Sequence, residues 1–597
     1  MIFLLMANPE ISIAQRTQQK ANTILWDTQS PFVSTVDVRD KNNWKVVPAN
    51  LLTLELDPSA AVSDPAYYGR EYSFKGDAVV ENEHMTAVFL SGKGRVVIYS
   101  KTDLSKEKIE FVPLQLKGKP AGINNCSILQ NTGDEIALEI SFSTKVAKDS
   151  FSAIFSFDQT GIIAIKPAEN MNGISLLSPI EFGVLPDFIG DDLIYDPEKY
   201  PSGATLHVPS ENVFLGLLKG RNNMLVVTWP QGRQQIKLAL SKSQENRLIE
   251  SVDFDNDGKN VYLNLLGAQG IWHKEQLKPT YLEKDVAVNW KRPYRAKWIT
   301  QLLEANVKTT FTFKESKDTI WRGVTGRYNY PVWFNGGTTF YRLGKKVPPK
   351  GYSLVYALER KGTPASILTP VDIMKATLGR QVCDAILDLP GRKLRTHHRR
   401  GAAGVRRAAT CGCTEAMQAV FDAGEEIKRG EYVEGAVDDM IYFVERHVAR
   451  IDEYQDFANN MIEYLNLAEK SAAGLKPYID NMRAIAQEIL QGYEVQKENM
   501  KDLAYAAELS RQTKSLTRKK SSQNLPIYND LSLKWRRMGG AQDTVVGQCH
   551  TITRKLFQEA GYGCVNHPEA VEIAREIRRR CRECLRNPDG YEIWENY

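Results

Sequence analysis

The chain has 597 residues, of which 42% are hydrophobic and 25% are charged, and its formal net charge is +5. This length exceeds what one ordinary hydrophobic core covers and predicts roughly three or four domains. The composition excludes a wholly disordered chain, and the small net charge excludes nucleic-acid binding by the surface as a whole. Since no run of about 18 apolar residues occurs, the sequence also predicts no transmembrane helix.

Residues 1–20 begin with the apolar block MIFLLMA, which is followed by polar and small residues. The pattern resembles a signal peptide that lacks its basic start, and it predicts a secreted or periplasmic protein. A start-site artefact or a plain N-terminal strand would produce the same pattern, in which case the protein would be cytoplasmic.

Short apolar or alternating runs, separated by Gly, Pro, Asn and Asp, fill residues 21–375. Runs such as EIALEISFST (135–144) and NMLVVTW (223–229) are rich in β-branched and aromatic residues, which favours β-strands. Helical patterns do not come between these runs. We therefore predict antiparallel β-sandwiches and not a parallel α/β sheet.

A weak internal repeat divides this β region. A Phe-Leu strand, a turn with Lys-Gly-Arg or Gly-Lys-Gly-Arg, and a β-branched strand occur at residues 87–100 and again at 212–229. If the repeat is a duplication, it indicates two sandwiches, which we place at residues 21–175 and 176–375. Two hairpins that share the same turn chemistry are the alternative explanation.

The periodicity becomes helical in the last third of the chain. A basic interdomain segment (376–411) precedes residues 412–597, where apolar side chains recur at i, i+3, i+4 and i+7. Two long amphipathic stretches joined by AAGLK predict an antiparallel helical hairpin, and a further helix is predicted to begin at Pro568. We therefore predict a C-terminal helical bundle.

The interdomain segment is strongly basic, because residues 392–407 contain seven Lys and Arg side chains and no acid. Arginine forks bind carboxylate, sulfate and phosphate, which makes the segment a candidate site for an anionic ligand. A solvated linker is the alternative, and nucleic acid is disfavoured because no aromatic residues alternate with the cations. The candidate anion-binding residues are Arg395, Arg399, Arg400, Arg406 and Arg407.

The cysteines are concentrated in the same part of the chain, with seven of the eight beyond residue 380. Cys411, Cys413, Cys581 and Cys584 offer four thiolates for zinc, but the CxC and CxxC pairs are too far apart for zinc-finger spacing. Disulfides and buried thiols explain these cysteines at least as well. No metal is therefore predicted.

A second metal candidate is the stretch DFDNDGKN (253–260). It places Asp253, Asp255 and Asp257 before a glycine, as in the first half of a calcium loop. The twelfth position of such a loop holds Asn264 and not glutamate, so we predict a tight hairpin turn in preference to calcium binding.

Aromatic residues are concentrated where the β region ends, since six of the ten tryptophans lie within residues 229–333. Aromatic faces beside polar donors suit sugar rings, because ring C–H groups stack while hydroxyls form hydrogen bonds. A tryptophan-rich sandwich core is the competing interpretation. The candidate sugar-binding residues are Trp272, Trp321, Arg322, Arg327, Tyr328 and Trp333.

Candidate acid and base groups occur in the same half of the chain. Asp191 and Asp192 lie in an acidic loop pattern (185–197), and His273 follows a tryptophan in a strand pattern. Carboxylates and a histidine on an aromatic β scaffold suit general acid and base catalysis on a glycosidic bond. Aspartates that only cap loops are the alternative.

The order of β-sandwiches and then a helical domain, behind a partial export signal, resembles uncharacterised secreted proteins of polysaccharide-degrading bacteria. The resemblance is one of architecture and rests on no specific motif. It implies an extracytoplasmic carbohydrate-active protein, either a glycoside hydrolase or a polysaccharide lyase, that acts on an acidic polysaccharide or oligosaccharide. A non-catalytic glycan-binding or assembly protein, whose long helices contact a partner, is the alternative.

Overall fold

The structure, a computed structural model, describes a β region up to residue 360 and helices between residues 434 and 585. The β region precedes the helices, which confirms the predicted order of an antiparallel β part and a helical part. The described ranges are 22–33, 36–49, 72–106, 108–144, 149–159, 161–185, 193–210, 213–229, 235–276, 278–281, 284–291, 296–304, 307–313, 323–325, 330–335, 338–342, 352–360, 434–495 and 545–585.

Eighteen of the described strands form one antiparallel hydrogen-bonded network. They are β1 (Ile24–Asp27), β2 (Lys45–Val46), β3 (Ala78–Glu81), β4 (Met85–Leu90), β5 (Arg95–Ser100), β6 (Ile109–Pro113), β7 (Ala121–Asn131), β8 (Ile136–Thr144), β9 (Ser150–Phe157), β10 (Ile162–Pro167), β11 (Gly173–Leu185), β12 (Leu193–Tyr195), β13 (Thr205–Val208), β14 (Val213–Leu218), β15 (Asn223–Thr228), β16 (Ile236–Leu240), β17 (Ile249–Asp255) and β18 (Val261–Gly267).

Alternating side chains explain why these segments form strands. In β8, Ile136, Leu138 and Ile140 are buried, whereas the residues between them are half-exposed. This period of two places one set of side chains on the core face and the other set on the opposite face. The strand predicted at 135–144 is thus confirmed.

The network has two layers that share one strand. The first layer runs β2–β1–β3–β4–β5–β6–β11–β17–β16–β13, and the second runs β12–β11–β14–β15–β18–β10–β9–β8–β7. β11 takes part in both because its register shifts between Leu177 and Ile180. The layers enclose one core, in which the rings of Phe89 and Phe155 lie 5.4 Å apart.

Two smaller antiparallel sheets follow the network, with the orders β19–β26–β21–β22 and β20–β25–β24–β23. Their strands are β19 (Trp272–Gln276), β20 (Asp285–Lys291), β21 (Ala296–Glu304), β22 (Val307–Phe313), β23 (Gly323–Thr325), β24 (Tyr330–Asn335), β25 (Thr338–Arg342) and β26 (Tyr352–Arg360).

The boundary predicted between residues 175 and 176 falls inside β11. The main chain of β11 bonds to β6, which precedes that boundary, and to β14 and β17, which follow it. The two segments of the weak repeat form the hairpins β4–β5 and β14–β15 within the same network. The hydrogen-bonded network therefore continues across residue 175, and separate sheets begin at Trp272.

The helices described are α1 (Glu434–Ser471), α2 (Lys476–Val495), α3 (Val545–Gly563) and α4 (Pro568–Leu585). α1 and α2 contact each other along the predicted hairpin, α3 packs on α2 and α4, and α4 also contacts α1. Buried residues recur at helical spacing in α1, for example Tyr454, Ala458 and Met461. None of these helices is long and apolar enough to cross a membrane.

The helices are joined to the β network through the C-terminal end of α3 and the turn that follows it. Tyr195 Oη donates a hydrogen bond to the Gly561 carbonyl oxygen at 3.1 Å, and the Ile194 N–H donates to Tyr562 Oη at 2.8 Å. Val565 joins the main hydrophobic core. The chain therefore returns to its β part more than 360 residues later in sequence, and this contact was not predicted.

Candidate functional site

Of the predicted acid and base residues, the structure describes His273. It is half-buried on β19, and its backbone lies opposite Val355 of β26. Asp191 and Asp192 lie outside the described residues. The catalytic set therefore stays a prediction.

Trp272 is a core residue and not a sugar platform. Its side chain is fully buried, and its Nε1 donates a hydrogen bond to the Leu218 carbonyl oxygen at 2.9 Å. Its ring meets that of Phe182 edge to face, with centroids 5.9 Å apart. Because a stacked sugar needs an open ring face, the prediction for this residue is wrong. Trp229 is fully buried as well, so the core interpretation holds for both tryptophans.

The other predicted binding residues lie almost entirely beyond what the structure describes. Trp333 is on β24, where its backbone lies opposite Phe340 of β25. The following residues lie outside the described ranges: Trp321, Arg322, Arg327, Tyr328, Arg395, Arg399, Arg400, Arg406 and Arg407. Their proposed roles in binding sugars and anions stay predictions.

The three aspartates of the calcium-like stretch have separate protein partners. Asp253 accepts hydrogen bonds from Lys117 Nζ at 2.7 and 2.9 Å and from Ser175 Oγ at 2.6 Å. Asp255 pairs with Lys237 at 3.3 Å, and Asp257 accepts from a backbone N–H within its own turn. The predicted hairpin is wrong, because β17 and β18 do not pair with each other. β17 pairs with β11 and β16, whereas β18 pairs with β10 and β15. The turn links the two layers.

The cysteines of α4 differ in burial. Cys581 is fully buried and Cys584 is half-buried, and neither is in a disulfide. Cys411 and Cys413 lie outside the described ranges. Burial also raises the pKa of the Cys564 thiol to about 12, which keeps it protonated at neutral pH. Across the part of the chain that the structure describes, no three His, Cys, Asp or Glu side chains are grouped to hold a metal.

A group of aromatic rings lies at the β2 end of the first layer and makes the best-defined candidate binding surface. The Trp44 ring centroid is 6.2 Å from that of Trp26 and 6.1 Å from that of Phe32, with both pairs edge to face. All three side chains are half-buried. Two aliphatic neighbours in sequence are open to solvent, Val33 at 92% exposure and Val46 at 53%. The rings therefore border an apolar surface patch.

The rings rest on a second, smaller core. This core lies on the face of β3, β4 and β5 that points away from the main core, and its buried members are Val38, Val79, Val88, Leu90, Val97 and Tyr99. Rings that pack edge to face against a buried core move little, because packing fixes their rotamers. The rings thus form a rigid surface and not a loose loop.

Charged groups adjoin the rings. Glu81 accepts hydrogen bonds from Trp26 Nε1 at 3.0 Å and from Lys41 Nζ at 2.6 and 2.8 Å, and it also pairs with Lys101. Burial acts to raise the pKa of Glu81, but the hydrogen bonds from Lys101 and Lys41 outweigh it and hold the pKa below its ordinary value. Lys41 Nζ also lies 5.2 Å from the Trp26 ring centroid. We call Trp26, Phe32, Lys41, Trp44 and Glu81 the Trp44 cluster.

Two buried aspartates hold the chain that carries these rings. Asp77 accepts a hydrogen bond from the Phe32 N–H at 2.8 Å and another from the Ser91 N–H at 2.8 Å. Asp27 accepts from the N–H groups of Gln29 and Gly76 at 2.8 and 2.9 Å. Carboxylates that accept backbone N–H groups order a loop, because the buried donors are satisfied only in that conformation.

The tryptophan-rich stretch does not point to the Trp44 cluster, because Trp26 and Trp44 lie outside that stretch. They meet only because β1 pairs with β2, with Trp26 opposite Val46. The usable signal is local composition, since two tryptophans and a phenylalanine occur among Lys, Asn and Asp within residues 26–45.

A cleft of about 410 Å³ lies between α1 and α4. Its walls include Phe457 and Met461 of α1 and Arg579 and Arg580 of α4. Both arginines hydrogen-bond Glu576 on their own helix, and Arg580 also lies over the Tyr464 ring at 4.5 Å. Arg580 therefore links α4 to α1, whereas Arg579 pairs with Glu576 and Glu583 within α4.

No model of a known protein family matches the chain, and no curated protein matches its sequence. The Trp44 cluster is the place where exposed apolar surface, fixed rings and charged groups meet.

Proposed function

We propose that this chain is a carbohydrate-active protein and that it binds an acidic glycan at the Trp44 cluster. The observation that carries the proposal is the position of half-exposed rings beside Lys41 and Lys101, which share the single carboxylate of Glu81. Export from the cytoplasm belongs to the same proposal and rests on the N-terminal sequence pattern.

The chemistry of the cluster suits a sugar ring that carries a negative charge. The half-exposed rings offer apolar surface to sugar C–H groups, and the exposed Val46, which lies opposite Trp26, enlarges that surface. The ammonium groups of Lys41 and Lys101 would attract a uronate or sulfate, and this attraction weakens in salt.

Replacing Trp44 by alanine is expected to weaken glycan binding about tenfold, because one central ring supplies a large share of a small binding surface. The measurement is calorimetric titration of the full chain with a panel of neutral and acidic oligosaccharides. Tyr262→Ala is the matched control, since Tyr262 is a half-exposed aromatic residue elsewhere in the network. Equal affinities of the Trp44→Ala variant and the wild type would overturn the assignment of this surface.

The same panel separates an enzyme from a binding protein. A hydrolase releases new reducing ends, and a lyase releases unsaturated uronates. If turnover occurs, Asp192→Asn and His273→Ala are expected to abolish it while leaving binding at the Trp44 cluster in place. Binding without turnover on every glycan would instead support the non-catalytic alternative, and absence of any binding would contradict the whole proposal.

A further inference from the structure

The turn between α3 and α4 (564–567) packs against the edge of β13. The His207 N–H donates a hydrogen bond to the Val565 carbonyl oxygen. The turn thus takes the place that a neighbouring strand would have at this edge. Arg575 of α4 adds a hydrogen bond from Nη2 to the Ser210 carbonyl oxygen at 3.1 Å. Among the described strands, β13 pairs with β16 alone. The turn therefore covers a main-chain edge that is otherwise open to pairing with another strand.

The imidazole of His207 lies at this contact. The side chain is half-exposed, but its Nδ1 atom is buried and has no hydrogen-bond partner. A neutral ring that carries its proton on Nε2 leaves Nδ1 as a bare acceptor, whereas a protonated ring must place an N–H there. A buried N–H without an acceptor is costly, so the local geometry favours the neutral ring.

The charged groups around His207 come from three elements. Lys237 lies directly opposite on β16, Asp255 lies beyond it on β17, and His567 and Glu569 stand at the start of α4. Burial is the largest cause that lowers the pKa of His207, and Lys237 is the next. Asp255 and Glu569 act in the opposite direction, while His567 acts with Lys237, and the net effect is a pKa below the ordinary value of 6.5.

We propose that mild acid loosens the docking of the α3–α4 turn on β13, with protonation of His207 as the trigger. Near pH 7 the ring is neutral in both the docked and the undocked chain. As the pH falls below the undocked value, the undocked chain binds the proton first, and the equilibrium shifts towards it. The stabilisation is thus complete above about pH 6.5 and decreases as the pH falls.

Hydrogen exchange measured by mass spectrometry on the full chain tests the proposed loosening of the turn in acid. Peptides that cover residues 205–210 and 561–570 are compared at about pH 7.5 and about pH 5.5, after correction for the intrinsic exchange rate at each pH. We expect a severalfold loss of protection in both peptides at the lower pH, with no comparable loss in β8. Equal protection at the two pH values would overturn the proposal.

Two variants identify the trigger. His207→Gln is expected to remove the pH dependence, whereas His84→Gln, which changes a histidine in the β3–β4 turn, is expected to keep it. Glu569→Gln is a second route should His207→Gln not fold, because Glu569 leaves with α4 on undocking and its carboxylate raises the pKa of the docked His207. Its loss is expected to enlarge the pH response. An unchanged pH response in His207→Gln, or in Glu569→Gln should it be the variant used, would contradict the assignment to His207.

Discussion

Trp272→Ala is expected to lower the free energy of unfolding of the β region by about 3–5 kcal/mol, the usual cost of truncating a fully buried aromatic residue. The indole is enclosed by Phe182 of β11 and by the Leu218 carbonyl oxygen at the end of β14, and Arg221 lies 5.7 Å from its ring centroid. Because Trp272 begins β19, the loss also weakens the junction between the network and the smaller sheets.

The measurement is urea unfolding followed peptide by peptide with hydrogen exchange, which localises the loss to β11, β14 and β19. Trp272→Phe is the control, and it is expected to lose less because an aromatic ring still fills most of the space. A Trp272→Ala variant that is as stable as the wild type but binds glycan less tightly would contradict the burial of this ring and restore its role as a sugar platform.

Lys117→Met is expected to cost about 2–3 kcal/mol of unfolding free energy, because it leaves the carboxylate of Asp253 without its cation in a place that is 8% exposed. Methionine keeps most of the volume of the lysine stem, so the change isolates the charge. The value lies below that of a fully buried pair because the Lys117 side chain is 28% exposed.

The same sheet face provides the control for this variant. Lys237→Met breaks the neighbouring pair with Asp255, whose side chain is 43% exposed, and it is expected to cost less than about 1 kcal/mol. Both losses are read from chemical denaturation of the purified chain. Equal losses in the two variants would show that burial of Asp253 adds nothing. Stabilisation of the wild type by added calcium would show that its oxygens serve a metal and not Lys117.

Local patterns in the sequence were sufficient to predict the class of structure. The alternating stretch EIALEISFST forms β8, as its pattern predicts. The apolar residues spaced around Tyr454 lie on the buried side of α1, and Pro568 begins α4 as predicted. These features depend on neighbours within a few residues, which determine side-chain direction and turn propensity. The order of a β part and then a helical part follows from them.

The contacts that would assign roles to residues were decided by tertiary structure. Whether Trp272 faces sugar or core depends on β11 and β14, and whether Asp253 binds an ion depends on Lys117, which is 136 residues away in sequence. The link from Glu81 to Trp26 and the docking of Val565 likewise join segments that are far apart in sequence. Local residue patterns are enough to place the elements and their order. Their pairing, and with it the burial and charge of each candidate site, came only from the topology, because those properties depend on residues that are distant along the chain.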